Sequence, residues 1–211
     1  MRLKIMVVPL FVLVKEVYNV FVVVWEKIRR PNRSIFIGII IVSFMNPKSQ
    51  IEVTDRLKYL AGSIEGEGIT LLEGIKNKIY ESIQFRPYND ETAQDEKNIR
   101  WKRTADEIFR DGYVYDGKAC TDLVVAFLGL ANARGIETKF VKLRNEKMVH
   151  SIAEIKLDDE WYMYDIASRN AQPNKGQFVE GMPMGGWNLW KKGRDSWDLG
   201  LKEFEDITRI S

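Results

Sequence analysis

The sequence holds a single cysteine and a single histidine in 211 residues. One cysteine excludes an intramolecular disulfide, and one Cys with one His cannot supply a zinc site of ordinary ligand type, so no metal and no other cofactor is expected. Net charge is also scarce, a formal +2 from 32 Lys/Arg and 30 Asp/Glu. The basic excess sits at one end: residues 1–50 carry eight Lys/Arg against two Asp/Glu, which leaves 24 against 28 in residues 51–211. A mildly acidic remainder gives no electrostatic reason to expect nucleic acid as a partner. Internal repeats and low-complexity tracts are lacking, and 45% hydrophobic with 29% charged residues suits an ordinary folded domain.

Long hydrophobic runs are missing as well. Residues 5–14 are apolar, Lys15 to Asn19 interrupt, Val20 to Trp25 follow, and Ile35 to Met45 form a second run. Neither reaches the ~20 residues of a clean spanning helix. A span over 5–25 would have to carry Lys15, Glu16 and Asn19 through the bilayer, at a cost of several kcal/mol. Lys27, Arg29, Arg30 and Arg33 precede the second run as in a signal sequence, but no small-x-small cleavage site follows. Residues 1–50 read as a basic, apolar arm that contacts a membrane, with the remainder cytoplasmic. Two other readings stay open: a β-branched segment packed on the domain, and an over-long gene start with Met45 as a later initiator.

From residue 51 the texture is that of a soluble domain. Thr54 to Ala61 predicts a short helix and Gly62 to Gly68 a loop. Thr70-Leu71-Leu72-Glu73 reads as a capping box, after which Leu72, Ile75, Ile79 and Ile83 recur at helical spacing up to Phe85. Arg86 to Asn98 reads as an exposed loop, and Thr104-Ala105-Asp106-Glu107 as a second capping box that opens a short helix.

The next stretch organises the chain. Tyr115-Asp116-Gly117 forms a turn, an apolar run extends from Cys120 to Ala133, and Gly135 stands where a left-handed cap belongs. This is a buried central helix with the thiol at its N-terminus, and Gly129 is expected to let a sheet approach closely. Unpaired N–H groups and the helix dipole there favour a thiolate and can receive an oxyanion. Taken alone, a lone cysteine is more often a small buried hydrophobe.

Three strand-like runs follow: Thr138 to Leu143, Val149 to Leu157 and Glu160 to Ile166. If Asp158-Asp159 is a two-residue turn, Leu157 pairs with Glu160, and the same register sets Ile152 opposite Asp165. His150 and Asp165 then become diagonal neighbours on one face, within hydrogen-bonding reach. A carboxylate there would fix the imidazole and leave its other nitrogen for the thiol. A strand-edge His or a strand-terminal Asp alone is more often structural; the conjunction of Cys120, His150 and Asp165 shifts that balance.

Here the sequence resembles the transglutaminase-like superfamily of papain-like thiol enzymes. The resemblance rests on residues 103–108, Gly117-Lys118-Ala119-Cys120-Thr121-Asp122, Arg134-Gly135-Ile136 into Val141, His150-Ser151-Ile152, and Glu160-Trp161-Tyr162-Met163-Tyr164-Asp165. It implies an α+β fold in which the helix bearing Cys120 packs on an antiparallel sheet that holds His150 and Asp165, with nucleophile, base and orienting acid in that order. Lys118 and Ala119 separate Gly117 from Cys120 where many relatives have a tighter Gly-x-Cys, and Ile152 stands where a Trp is common. The resemblance further implies the Cys120 backbone N–H as an oxyanion donor and a second donor upstream, for which Trp101, Tyr113 and Tyr115 are candidates; each is as readily a packing aromatic.

Residues 168–211 hold Trp187, Trp190 and Trp197 among glycines. They read as a loop whose rings cover the sheet edge or, alternatively, as one wall of a substrate cleft containing Trp187 and Trp190. Phe204 to Ile207 predicts a short closing element. The function expected from these residues is amide-bond chemistry on a protein or peptide through a Cys120 thioester, of the peptidase or amidase type. Three alternatives are crosslinking amine transfer to protein glutamine, arylamine acetylation, and a non-catalytic peptide-binding module.

Overall fold

The computed structural model describes residues 49–209, so the arm read over residues 1–50 lies almost wholly outside the described residues. Ser49 and Gln50 already belong to the domain. The Ser49 hydroxyl donates to Asp195 Oδ2 at 2.6 Å, and buried Gln50 donates to the carbonyls of Trp101 and Arg103. Among the described residues no helix is long and apolar enough to cross a membrane.

Helix α1 (Asp55–Gly62) starts where Thr54 Oγ1 accepts the Leu57 N–H, and α2 (Gly68–Ser82) buries Leu72, Ile75 and Ile79 along one stripe. The capping box expected at Thr70 does not form. The Leu71 N–H already bonds the Glu67 carbonyl at 3.3 Å, so Thr70 lies inside the first turn. The helix also stops short of Phe85: Ile83 turns extended (φ −119°, ψ 120°) into β1 (Gln84–Arg86). That strand pairs in parallel with β2 (Tyr113–Tyr115), Phe85 opposite Val114. The stretch read as an exposed loop contains α3 (Ala93–Ile99), whose buried Glu96 pairs with Arg100. It has acidic residues in its first turn but no apolar stripe, so periodicity does not reveal it.

Helix α4 (Ala105–Asp111) opens on the expected capping box of Thr104 and Glu107 and ends at Gly112, whose φ of 70° suits a left-handed cap. Helix α5 (Cys120–Ala133) is buried from Thr121 to Ala131. A Cβ on Gly129 would stand 2.5 Å from Ala105 Cβ and 3.3 Å from Leu57 Cδ1, so its close approach is to α4 and α1 rather than to the sheet.

The sheet is fully antiparallel in the order β6 (Asn174–Lys175), β5 (Glu160–Tyr164), β4 (Val149–Leu157), β3 (Thr138–Arg144), β7 (Asn188–Gly193). Leu157 pairs with Glu160, and Asp158 and Asp159 both take positive φ (48° and 63°), the backbone of a type I′ hairpin turn. Phe140, Ala153, Ile155 and Tyr164 join the helical core, where Phe127 meets the Tyr164 ring edge-on at 5.6 Å. Val141, Leu143, Ile152 and Phe178 form a second cluster, with Trp187 and Leu189 packed against it. Residues 188–193 are thus an edge strand and not the loop expected from their Trp and Gly content; the pairing Phe140 with Gly193 supplies the missing register. The architecture is α+β, with the cysteine helix packed on an antiparallel sheet. Helix α6 (Asp206–Arg209) closes the described chain.

Candidate active site

Cys120 is the first residue of α5, and Ala119 before it caps the helix with no side-chain acceptor. The first intrahelical bond runs from the Leu123 N–H to the Ala119 carbonyl, so the amides ahead of it have no partner within the helix. This end is fixed from behind by Arg103, which donates to Asp122 at 2.5 Å and to the Tyr113 carbonyl at 3.0 Å. The helix N-terminus is thereby tied to β2 and to the start of α4.

His150 sits near the start of β4, and its Nε2 lies 3.0 Å from Asp165 Oδ2. Asp165 follows the last residue of β5, where its Oδ1 accepts the amides of Ala167 (3.0 Å) and Ser168 (3.2 Å). With Nε2 engaged, Nδ1 is the nitrogen left for Cys120. Burial raises the Asp165 carboxyl, but His150 and these amides outweigh it and hold the group below its ordinary value. Burial likewise lowers His150, yet hydrogen bonds and charge from Asp165 and Cys120 bring it up to about 9. For Cys120 burial acts upward, while the charge of Lys142, the hydrogen bond and charge of His150, and Ser151 bring the thiol down to about 6. Between those values the favoured species is a thiolate beside an imidazolium.

A cluster of hydroxyls and one ammonium stands behind the sulfur. Cys120 Sγ lies 3.9 Å from Ser151 Oγ, which is 2.9 Å from both Thr121 Oγ1 and Lys142 Nζ. Lys142 Nζ also donates to Thr121 Oγ1 at 3.2 Å and lies 4.8 Å from the centroid of the Trp101 ring.

No family model matches the chain, and no curated protein does. Solved structures do. A candidate cysteine protease from Cytophaga hutchinsonii is similar at 20% identity and a TM-score of 0.47, covering 68% of this chain and 44% of that one. A TGase is similar at 14% identity and a TM-score of 0.38, covering 63% and 38%. Legionella pneumophila LapG is similar at 16% identity and a TM-score of 0.38, covering 76% and 99%. The chain spans less than half the length of the first two structures.

The thiol opens into a cleft of about 780 Å³ lined by Trp101, Ala119, Lys142, His150 and Trp190 among others. Of the aromatic residues singled out in the sequence, Trp101 and Trp190 line it, and Trp187 tilts against His150 with ring centroids 5.5 Å apart. Tyr113 and Tyr115 are not among its lining residues. Tyr113 lies under the Arg86 guanidinium, 3.5 Å from its ring centroid, and meets Tyr115 edge-on at 5.8 Å. The carbonyl of Trp101 accepts from Gln50 Nε2 and Trp197 Nε1, which fixes its backbone at a φ of 61°. Lys142, Ser151 and Thr121 escaped sequence reasoning. The one available signal was a lysine set directly between Val141 and Leu143, in a strand that also carries Lys139 and Arg144. Among the described residues no group of three His, Cys, Asp or Glu gathers as a metal site would require.

Proposed function

We propose that the chain is a thiol hydrolase that cleaves amide bonds of proteins or peptides through a Cys120 thioester. The observation that carries this reading is the meeting, in one cleft, of a helix-terminal thiol and an imidazole held 3.0 Å from a carboxylate. The Cys120 thiolate attacks the amide carbon, and the carbonyl electron pair moves to oxygen. The resulting oxyanion is received by the Cys120 backbone N–H at the helix N-terminus. Collapse expels the amine, which takes its proton from the His150 imidazolium. Neutral His150 then accepts a proton from the water that attacks the thioester, and the acid product leaves as the thiolate and imidazolium are restored. Asp165 holds the ring in place throughout.

The test is to incubate the full chain with a peptide library and a primary-amine probe, and to read the products by mass spectrometry. New peptide termini that disappear in Cys120→Ala support hydrolysis. Probe attached to glutamine without cleavage would replace hydrolysis by amine transfer. Neither product, from a protein that binds peptides, would overturn the enzymatic reading in favour of a binding module.

A further inference from the structure

The proposed mechanism balances the Cys120 thiolate against His150 alone, yet a second cation stands beside the same sulfur. Lys142 is 1% exposed, and its ammonium donates to the hydroxyls of Thr121 and Ser151. It makes no ion pair with a carboxylate among the described residues. Three cations close by are paired, Arg100 with Glu96, Arg103 with Asp122 and His150 with Asp165, while Lys118, Arg144 and Lys147, which line the cleft without a salt bridge to a carboxylate among the described residues, are exposed to solvent. Opposite Lys142 on β7 stands Lys191, another positive charge. An ammonium kept in the interior without an anion is strongly penalised, so a buried lysine either gives up its proton or takes a negative partner. The group that can supply one is Cys120, whose sulfur is 3.9 Å from the same Ser151 hydroxyl that Lys142 contacts at 2.9 Å.

We infer that Lys142 is a positioning residue whose ammonium is the counter-ion of the Cys120 thiolate, with Ser151 as the hydroxyl between them. Lys142 lies below its ordinary value on balance, with Cys120 opposing that shift: burial lowers it most, and Arg100 lowers it further. The charge of Lys142 is the largest single influence that lowers Cys120, ahead of the hydrogen bond and the charge of His150 taken one at a time. Two consequences separate this arrangement from a thiolate held by the imidazole alone. The thiol keeps part of its acidity when His150 is removed, and removal of Lys142 raises the thiol even though His150 and Asp165 are intact.

The experiment is the pH dependence of iodoacetamide alkylation in the full chain, where the single cysteine makes the rate unambiguous. Lys142→Met is expected to raise the midpoint by one to two pH units and to slow alkylation at pH 7 by about tenfold, because the thiolate is the reacting form. Lys142→Arg is expected to restore the low midpoint, and His150→Ala to leave it below that of a free thiol. A folded Lys142→Met protein with an unchanged midpoint overturns the inference. Should Lys142→Met fail to fold, the reciprocal coupling is read in the native protein, with the lysine Cε resonance assigned through Lys142→Arg. Capping Cys120 with the neutral carbamidomethyl group removes the anion, so Lys142 must then lose its proton at a lower pH. A lysine titration that does not move on capping overturns the inference equally.

Discussion

The imidazole of His150 reaches Asp165, fifteen residues further along the chain, at 3.0 Å, while the second oxygen of Asp165 is taken by the amides of Ala167 and Ser168. The carboxylate therefore serves the ring with one atom and its own backbone with the other. Asp165→Asn retains the shape and an amide-accepting oxygen but removes the charge that raises His150. Its kcat/KM on any peptide substrate is expected to fall by about 10²- to 10⁴-fold, the range of a general acid–base contribution, with little change in the urea midpoint of unfolding. A loss of stability with unchanged kcat/KM would show that the pair is structural.

The pH profile should be bell-shaped. The acid limb reflects the thiol, lowered to about 6, and the alkaline limb the imidazolium, raised to about 9. Below the first the nucleophile is protonated; above the second the leaving amine loses its acid. Because the two groups interact, the limbs belong to the pair. A kcat/KM profile rising only above pH 8 would contradict the ion-pair state.

Gly129 provides a test of packing in which two effects oppose each other. Helix propensity favours alanine over glycine by about 1 kcal/mol. The added Cβ would, however, stand 2.5 Å from Ala105 Cβ, and overpacking of that kind costs about 1–3 kcal/mol. Gly129→Ala is expected to be net destabilising in urea unfolding, and a stabilised variant would contradict the packing of α5 on α4.

Glu154 is wholly buried and accepts from the Phe178 N–H (2.8 Å), from Gln177 Nε2 (3.0 Å) and from Lys192 (2.7 Å). It is not among the cleft-lining residues. Glu154→Ala strips a buried ion pair of one partner and is expected to cost about 3–5 kcal/mol of stability. The alkylation midpoint of Cys120 should remain in place in the folded variant. A loss below about 1 kcal/mol would mean that water replaces the carboxylate, as at an exposed pair.

Local signals were legible where one residue type has one backbone solution. Thr104 with Glu107 marked the start of α4, and the apolar run behind Cys120 marked α5. The Asp158-Asp159 turn set the register that places His150 diagonally across from Asp165. The same logic failed at Thr70, where the Glu67 carbonyl takes up the helix start three residues early. It failed again over residues 93–99, whose helix is held by buried Glu96 and its partner Arg100 rather than by an apolar stripe.

The sequence by itself determined the cysteine helix, the hairpin and the pairing of imidazole with carboxylate, because each depends on periodicity or on a turn that joins residues close in the chain. Only the tertiary structure decided that β7 completes the sheet beside β3, that Trp187 lies against His150, and that Lys142 comes to rest behind the sulfur. Those contacts join segments with no shared local pattern, and they form because the strand edge, the ring and the buried ammonium must each be satisfied by whatever the packed core brings near.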